Sequence, residues 1–129
     1  MSTGHRAAAK RARNQRNIPR SHQYQAVQRN ARISPRKVAL VATMIRGKRV
    51  EDALNELSFD NRRAATMLRK VLQSAVANAS TLAGLDPMDL KVIHATADEG
   101  FTFKRFHARG RGRGAAIERQ NTHITVAVG

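Results

Sequence analysis

The side chains best suited to chemistry in this sequence are arginines near its C-terminal end. Arg109, Arg111 and Arg113 are separated by single glycines. A guanidinium group forks onto phosphates or stacks on bases, and glycine permits close approach to a backbone. This pattern is typical of a nucleic-acid contact, although a flexible cationic loop has the same composition. It is not a nucleotide-binding loop, because neither G-x-x-x-x-G-K-[ST] nor G-x-G-x-x-G is present.

Two further cation pairs lie at predicted helix starts. Each pair follows a residue suited to cap a helix: Ser34 precedes Arg36 and Lys37, and Asp60 precedes Arg62 and Arg63. Cations at a helix N-terminus oppose the macrodipole, at a typical cost of ~0.3–1 kcal/mol each. Because such a start combines unpaired N–H groups with positive charge, we predict that both starts contact phosphates. The alternative is an ordinary solvated charged face.

Groups typical of catalysis or metal binding are missing or poorly spaced. The chain has no Cys, and its five histidines show no metal-ligand spacing. Asp98 and Glu99 are adjacent, which in a strand places them on opposite faces. We therefore predict a protein that is not an enzyme and has no metal and no cofactor.

The charge distribution indicates a polyanionic partner. The formal net charge is +15, and the first fifty residues hold thirteen basic side chains and no acidic one. Residues 51–100 are near neutral, and residues 101–129 are again basic. This pattern favours a folded body with basic attachments. The longest apolar run, Val38–Ala42, is too short to cross a bilayer, so we expect a soluble intracellular protein without a membrane partner.

Residues 1–22 form the first basic attachment. They contain six basic residues and almost no large apolar ones, so we predict a basic N-terminal arm that is disordered unless bound. The composition also resembles an organelle transit peptide, which would place the protein in an organelle. Residues 23–129 are predicted to form a single domain.

The elements that must position these side chains follow from hydrophobic periodicity. We predict strands over residues 23–33, 90–97 and 123–128 and helices over 35–46, 50–57 and 61–83. Gly47 and Gly84 are expected to end the first and third helices in a left-handed conformation. The predicted buried stripe of the longest helix comprises Ala64, Leu68, Val71, Leu72, Ala75, Val76, Ala79 and Leu82.

Residues 98–122 are too many for an ordinary connection. Aromatic and basic residues occupy every second position from Phe101 to Arg113, which predicts extended arms. Arms of about eleven residues at roughly 3.3 Å each would project some 35 Å. Such a ribbon buries little apolar surface, so we expect a partner to order it. We expect Phe101 and Phe103 to pack at its base rather than to stack on bases.

Several short motifs, in order, resemble one known family. They are Ser34-Pro35-Arg36-Lys37, Ile45-Arg46-Gly47-Lys48, Val50-Glu51-Asp52-Ala53-Leu54, Ser74-Ala75-Val76-Ala77-Asn78-Ala79, Gly84-Leu85-Asp86-Pro87, Asp98-Glu99-Gly100, Lys104-Arg105 and His123-Ile124-Thr125-Val126. Together these motifs cover about residues 23–128. On them the chain resembles the bacterial large-subunit ribosomal protein twenty-two family.

The resemblance implies an α+β fold, with three helices packed on a small three-stranded antiparallel sheet and a long protruding β-hairpin over residues 98–122. It also implies a structural role in the large ribosomal subunit of the bacterial cytoplasm. The implied partners are large-subunit rRNA, neighbouring ribosomal proteins and the nascent polypeptide, because in this family the hairpin lines part of the exit tunnel. No homo-oligomer is expected.

The predicted rRNA contacts combine the helix starts with positions carried over from the resemblance. They are Arg32, Arg36, Lys37, Arg46, Lys48, Arg62, Arg63, Asn78, Lys104, Arg105, Arg109, Arg111, Arg113, Arg119 and His123. The chain departs from the family pattern at its glycine-rich tip and at Glu118 and Gln120, which make the returning arm less cationic.

Two other classes of function remain open at this point. A DNA-binding architectural protein with cationic ribbon arms would share the charge pattern, but such arms typically insert an apolar wedge that this tip lacks. An RNA-modifying enzyme would need a catalytic or cofactor constellation that the sequence does not display.

Overall fold

The structure is a computed structural model that describes residues 24–129. The predicted arm, residues 1–22, lies outside the described residues. In chain order the elements are strand β1 (Tyr24–Ala31), helices α1 (Pro35–Ile45), α2 (Val50–Phe59) and α3 (Arg63–Ala83), and strands β2 (Val92–Ala108) and β3 (Gly114–Val128). A short 3-10 turn, Pro87–Asp89, leads from α3 towards β2.

The three strands form one antiparallel sheet in the order β1-β3-β2, with the helices packed on it. This architecture confirms the predicted α+β class. Each predicted strand exists, but β2 and β3 are much longer than the segments 90–97 and 123–128. They run without a break from the sheet into the hairpin, so the hairpin is an extension of the sheet itself.

Helix α1 follows its sequence pattern closely. Its predicted apolar face of Val38, Val41, Ala42 and Ile45 is fully buried. The helix ends at Ile45, and Gly47 adopts a φ of +76°, which is the left-handed conformation expected of it. The Gly47 N–H donates to the carbonyl of Val92 at 2.8 Å, so the end of the helix is tied to the start of β2.

Helix α3 ends at Ala83 before a left-handed Gly84, as predicted, but it differs from the prediction at its start and in the burial of its last turn. It begins at Arg63 with Arg62 as its N-cap, so Asp60 does not cap it. Instead Asp60 ends α2, and its Oδ1 accepts the N–H of Arg62 at 2.9 Å. At the other end Leu82 is 76% exposed rather than buried, because the whole last turn of α3 lies at the surface.

The core lies between the helices and the sheet. Its largest fully buried side chains come from all three helices and from the body ends of β2 and β3: Val38, Val41, Ile45, Val50, Leu68, Leu72, Val92, Thr122, Ile124, Val126 and Val128. Burying one such side chain contributes about 1.5–3 kcal/mol. The core is therefore the platform that fixes the base of the hairpin.

The hairpin is an antiparallel ladder whose last pair is Ala108 with Gly114. The ladder shifts register between Glu99 and Thr102. At the tip the Arg109 N–H donates to the carbonyl of Arg113 at 2.7 Å, and Arg111 adopts a φ of +59°. The β2 arm of the hairpin spans eleven residues from position 98, which is about 35 Å at the usual rise of a strand.

Candidate nucleic-acid interface

A cleft of about 910 Å³ opens where the base of the hairpin meets the first turns of α1 and α3. Six of the predicted rRNA contacts line this cleft: Arg32, Lys37, Arg62, Arg63, Arg105 and Arg119. Glu118 is the one acidic residue among the lining residues of the described chain. The structure therefore gathers positive charge from six positions into one concave surface, which we call the basic cleft.

The connection between β1 and α1 is fixed against β3, and this positions one wall of the basic cleft. Thr122 is fully buried, and its Oγ1 donates to the carbonyl of Ile33 at 2.5 Å. Ser34 Oγ donates to Gln120 Oε1 at 3.4 Å. Because these bonds join residues far apart in the sequence, they hold the start of α1 against the returning arm of the hairpin.

Both helix starts reach the basic cleft without a capping side chain. Ser34 is the N-cap of α1, as predicted, but its hydroxyl makes no capping hydrogen bond, and neither does the Arg62 side chain at the start of α3. Neither helix has an acidic residue in its first turn. The positive ends of two helix dipoles thus lie beside cations, an arrangement that favours an anion.

Few carboxylates offset these cations. Arg62 lies 3.8 Å from Asp60, measured from Nε to Oδ1. Within residues 24–129 the other five cations of the basic cleft form no ion pair. Positive charges gathered in a cleft raise the local concentration of anions, so a polyanion is the ligand that this surface favours.

The hairpin tip places three more predicted contacts far from the body. Arg109, Arg111 and Arg113 are all exposed around the tip turn. Lys104 lies further down β2, opposite Glu118 in the strand register. Arg36 is exposed in the first turn of α1, next to the basic cleft but not among the residues that line it.

The remaining predicted contacts make bonds within the protein. Arg46 Nε donates to the carbonyl of Ala95 at 2.7 Å, and Lys48 forms an ion pair with Glu56. Asn78 Nδ2 donates to the carbonyl of Gln25 at 3.0 Å, and His123 Nδ1 accepts the N–H of Asn30 at 3.2 Å. These four side chains tie elements of the fold together, whatever else they contact.

The expectation that Phe101 and Phe103 pack into the base of the hairpin is wrong. Phe101 is 66% exposed and Phe103 is 37% exposed. Phe103 pairs in the strand register with the exposed Arg119, and Phe101 lies where the register shifts between Glu99 and Thr102, so both rings lie on a stretch of the ribbon outside the core. Phe103 instead lines the basic cleft, a position that was not predicted from the sequence. The alternation of Phe103 with Arg105 along the sequence was the signal that could have indicated this position.

Metal-binding clusters and membrane spans are both absent from the part of the chain that the structure describes. No group of three or more His, Cys, Asp or Glu residues there could hold a metal ion. Among the described helices, none is both long enough and apolar enough to span a membrane.

The sequence is similar to proteins of one known family. A family model described as ribosomal protein L22p/L17e matches residues 26–129. The chain is 46% identical over 109 residues to the large ribosomal subunit protein uL22 of Agrobacterium fabrum, and the match covers 84% of each chain. The protein of the same name from Sinorhizobium medicae matches with the same identity and coverage.

Proposed function

This chain belongs to the ribosomal protein L22p/L17e family, and on that premise we propose that it binds large-subunit rRNA through the basic cleft and the hairpin. A structural, non-enzymatic role in the large ribosomal subunit follows from the family itself. The proposal adds the surface that makes the contact and names rRNA as the partner that this surface binds.

The observation that carries the proposal is the convergence of cations in the basic cleft. The six cations come from the β1–α1 connection, α1, the start of α3 and both arms of the hairpin. Core packing alone gives no reason to gather them, because like charges repel and the described residues supply few carboxylates to offset them. An RNA backbone supplies the missing negative charge.

The proposed contacts are the fifteen residues predicted from the sequence. The six residues of the basic cleft form the body contact, and Lys104 with the three tip arginines forms the hairpin contact. Arg36 extends the body contact along α1. Arg46, Lys48, Asn78 and His123 would contact RNA in addition to their bonds within the fold.

We further propose that the hairpin lines part of the nascent-chain tunnel, with neighbouring ribosomal proteins around the body. Two features support this role. The ribbon is long and narrow, and its tip presents exposed arginines and glycines rather than an apolar docking face. Such a ribbon can thread between RNA segments and neutralise phosphates on both sides.

A binding experiment with two polyanions tests the rRNA assignment. The purified full chain is titrated against refolded large-subunit rRNA and, as the control, refolded small-subunit rRNA at the same salt concentration. The expected result is tighter binding to the large-subunit rRNA. Equal affinity for both RNAs would show that net charge alone drives binding and would refute the proposal.

Photocrosslinking tests the tunnel assignment separately. A photoreactive residue replaces Arg111 at the tip or, as the control, Lys91, which is exposed on the body. In ribosomes stalled with a nascent chain we expect crosslinks to that chain from position 111 and not from position 91. Crosslinks from neither position would refute the tunnel role and leave the rRNA role standing.

A further inference from the structure

Three side chains on β2 form an exposed stripe that the fold does not explain. Phe101, Phe103 and Arg105 occupy alternate strand positions and so lie on one face of the ribbon. The two rings meet edge to face with centroids 5.1 Å apart, and the Arg105 guanidinium lies 5.6 Å from the centroid of Phe103. We call these three residues the aromatic stripe.

Exposed aromatic rings on a strand have few ordinary explanations. Burial of a phenylalanine side chain stabilises a fold, yet Phe101 keeps two thirds of its surface in water. The rings are nevertheless ordered by contact with each other and with Arg105. A stripe that is ordered and exposed is preorganised for a flat partner.

The charges beside the stripe indicate the chemistry of that partner. Arg105 lies against Phe103, and Arg119 is the direct partner of Phe103 in the strand register. An apolar protein surface would bury these guanidinium groups without compensation, which is costly. A nucleotide offers a π-face to the ring and a phosphate to the arginine at the same time.

On the basis of the proposed function, we infer that the aromatic stripe stacks on unpaired bases of the RNA whose backbone lies in the basic cleft. Phe103 and Arg105 line the cleft and also belong to the stripe, so the two surfaces are continuous. Bases inside an A-form helix are stacked on each other and present no free face, whereas loops and bulges splay their bases out. The ligand of this surface is therefore an unpaired stretch of RNA.

The chain contains no Trp, so Phe103→Trp introduces a single indole whose fluorescence reports stacking at this position. The probes are a single-stranded oligoadenylate of about ten nucleotides and a mixed-sequence RNA duplex of equal length, each end-labelled so that anisotropy measures binding independently. Phe59→Trp is the matched control, since Phe59 is 86% exposed on α2 and does not line the cleft. We expect the single strand to quench the indole fluorescence at position 103. We expect no quenching by the duplex at position 103 and none by the single strand at position 59.

The second measurement is the affinity of a Phe103 variant for the two RNAs. Phe103→Leu keeps an apolar side chain but removes the aromatic face, so binding of the single strand should weaken about 5- to 150-fold per stacked base, with no change in its dependence on salt. Duplex affinity should change by less than about twofold, because duplex binding is governed by phosphate contacts.

Four outcomes overturn the inference. RNA binding without quenching at position 103 would refute stacking while leaving the proposed function intact. Equal quenching at positions 59 and 103 would show unspecific contact. Unchanged affinity of Phe103→Leu for both RNAs would assign the stripe to a neighbouring protein. Absence of binding to both short RNAs in the anisotropy measurement would overturn it too, and the titration with large-subunit rRNA then decides whether the proposed function stands.

Discussion

Replacing three arginines of the basic cleft by glutamine should lower the salt dependence of rRNA binding by a calculable amount. Arg32, Arg63 and Arg119 suit this test because all three are exposed and make no side-chain hydrogen bond or ion pair within the described residues. Their replacement therefore leaves the bonds that hold the fold in place. Each phosphate contact contributes about 0.7–0.9 to the slope of log K against log salt, so the triple variant should lose roughly 2–3 from that slope.

The slope converts into affinities that are simple to measure. Between about 50 and 200 mM salt, the wild-type chain should lose roughly 20- to 40-fold more affinity than the triple variant. The assay is filter binding of the purified full chain to labelled, refolded large-subunit rRNA across that range. Thermal unfolding of each variant without RNA verifies that the fold is unchanged.

A charge-matched control separates the cleft from net charge. Arg29, Lys70 and Lys91 are exposed cations that lie outside the basic cleft and are not predicted contacts. Their replacement by glutamine removes the same three charges but should change the slope by less than about one. If both triple variants lose the same slope, affinity depends on total charge, and the assignment of the basic cleft is refuted.

Three other predictions concern the tip and the fold. Replacing Arg109, Arg111 and Arg113 by alanine should weaken rRNA binding and lower the salt slope by about 0.7–0.9 for each phosphate that the tip no longer neutralises, whereas an unchanged slope would contradict a phosphate contact at the tip. Leu72→Ala, at a fully buried position in α3, should lower the free energy of unfolding in urea by about 2–5 kcal/mol, and a decrease below about 1 kcal/mol would mean that the core does not pack as described. Gly84→Ala should lower the free energy of unfolding by about 1 kcal/mol, because the φ of Gly84 is +64°. At Gly110 φ is not positive and an added methyl group meets no atom, so Gly110→Ala should lower that free energy by less than about 0.5 kcal/mol. Equal decreases for the two variants would contradict the left-handed end of α3.

Much of the fold was predictable because local rules govern it. The spacing of Val38, Val41 and Ile45 defines the buried face of α1, and Gly47 ends that helix as its conformational freedom predicts. The errors lie where tertiary packing overrides the pattern. Leu82 continues the apolar period of α3, but its turn extends to the surface. Asp60 resembles an N-cap but is used to end the preceding helix.

The candidate site was predictable as a set of residues and not as a surface. All six cations of the basic cleft were named from the sequence, yet they come from segments as distant as Arg32 and Arg119. Nothing in one-dimensional spacing brings these segments together, since their approach depends on buried contacts such as the bond from Thr122 to Ile33. Phe103 was placed wrongly for the same reason, because its neighbour across the ribbon, the exposed Arg119, is fixed by the strand register and not by sequence spacing.

Cations that bind a ligand and cations that stabilise the fold have opposite effects on the stability of the free protein. Arg63 lies in the first turn of α3, where its charge opposes the helix dipole at a typical cost of ~0.3–1 kcal/mol. Arg46 instead donates a 2.7 Å hydrogen bond to β2, so its removal weakens the fold. Arg63→Gln should therefore stabilise the RNA-free chain slightly while weakening rRNA binding. Arg46→Gln should lower the stability of the RNA-free chain. Urea unfolding measures the stability of each variant, and filter binding measures its affinity for rRNA. This opposition arises because a phosphate beside the first turn of α3 reverses the electrostatic penalty of Arg63, so a destabilised Arg63→Gln chain would contradict its assignment to the ligand.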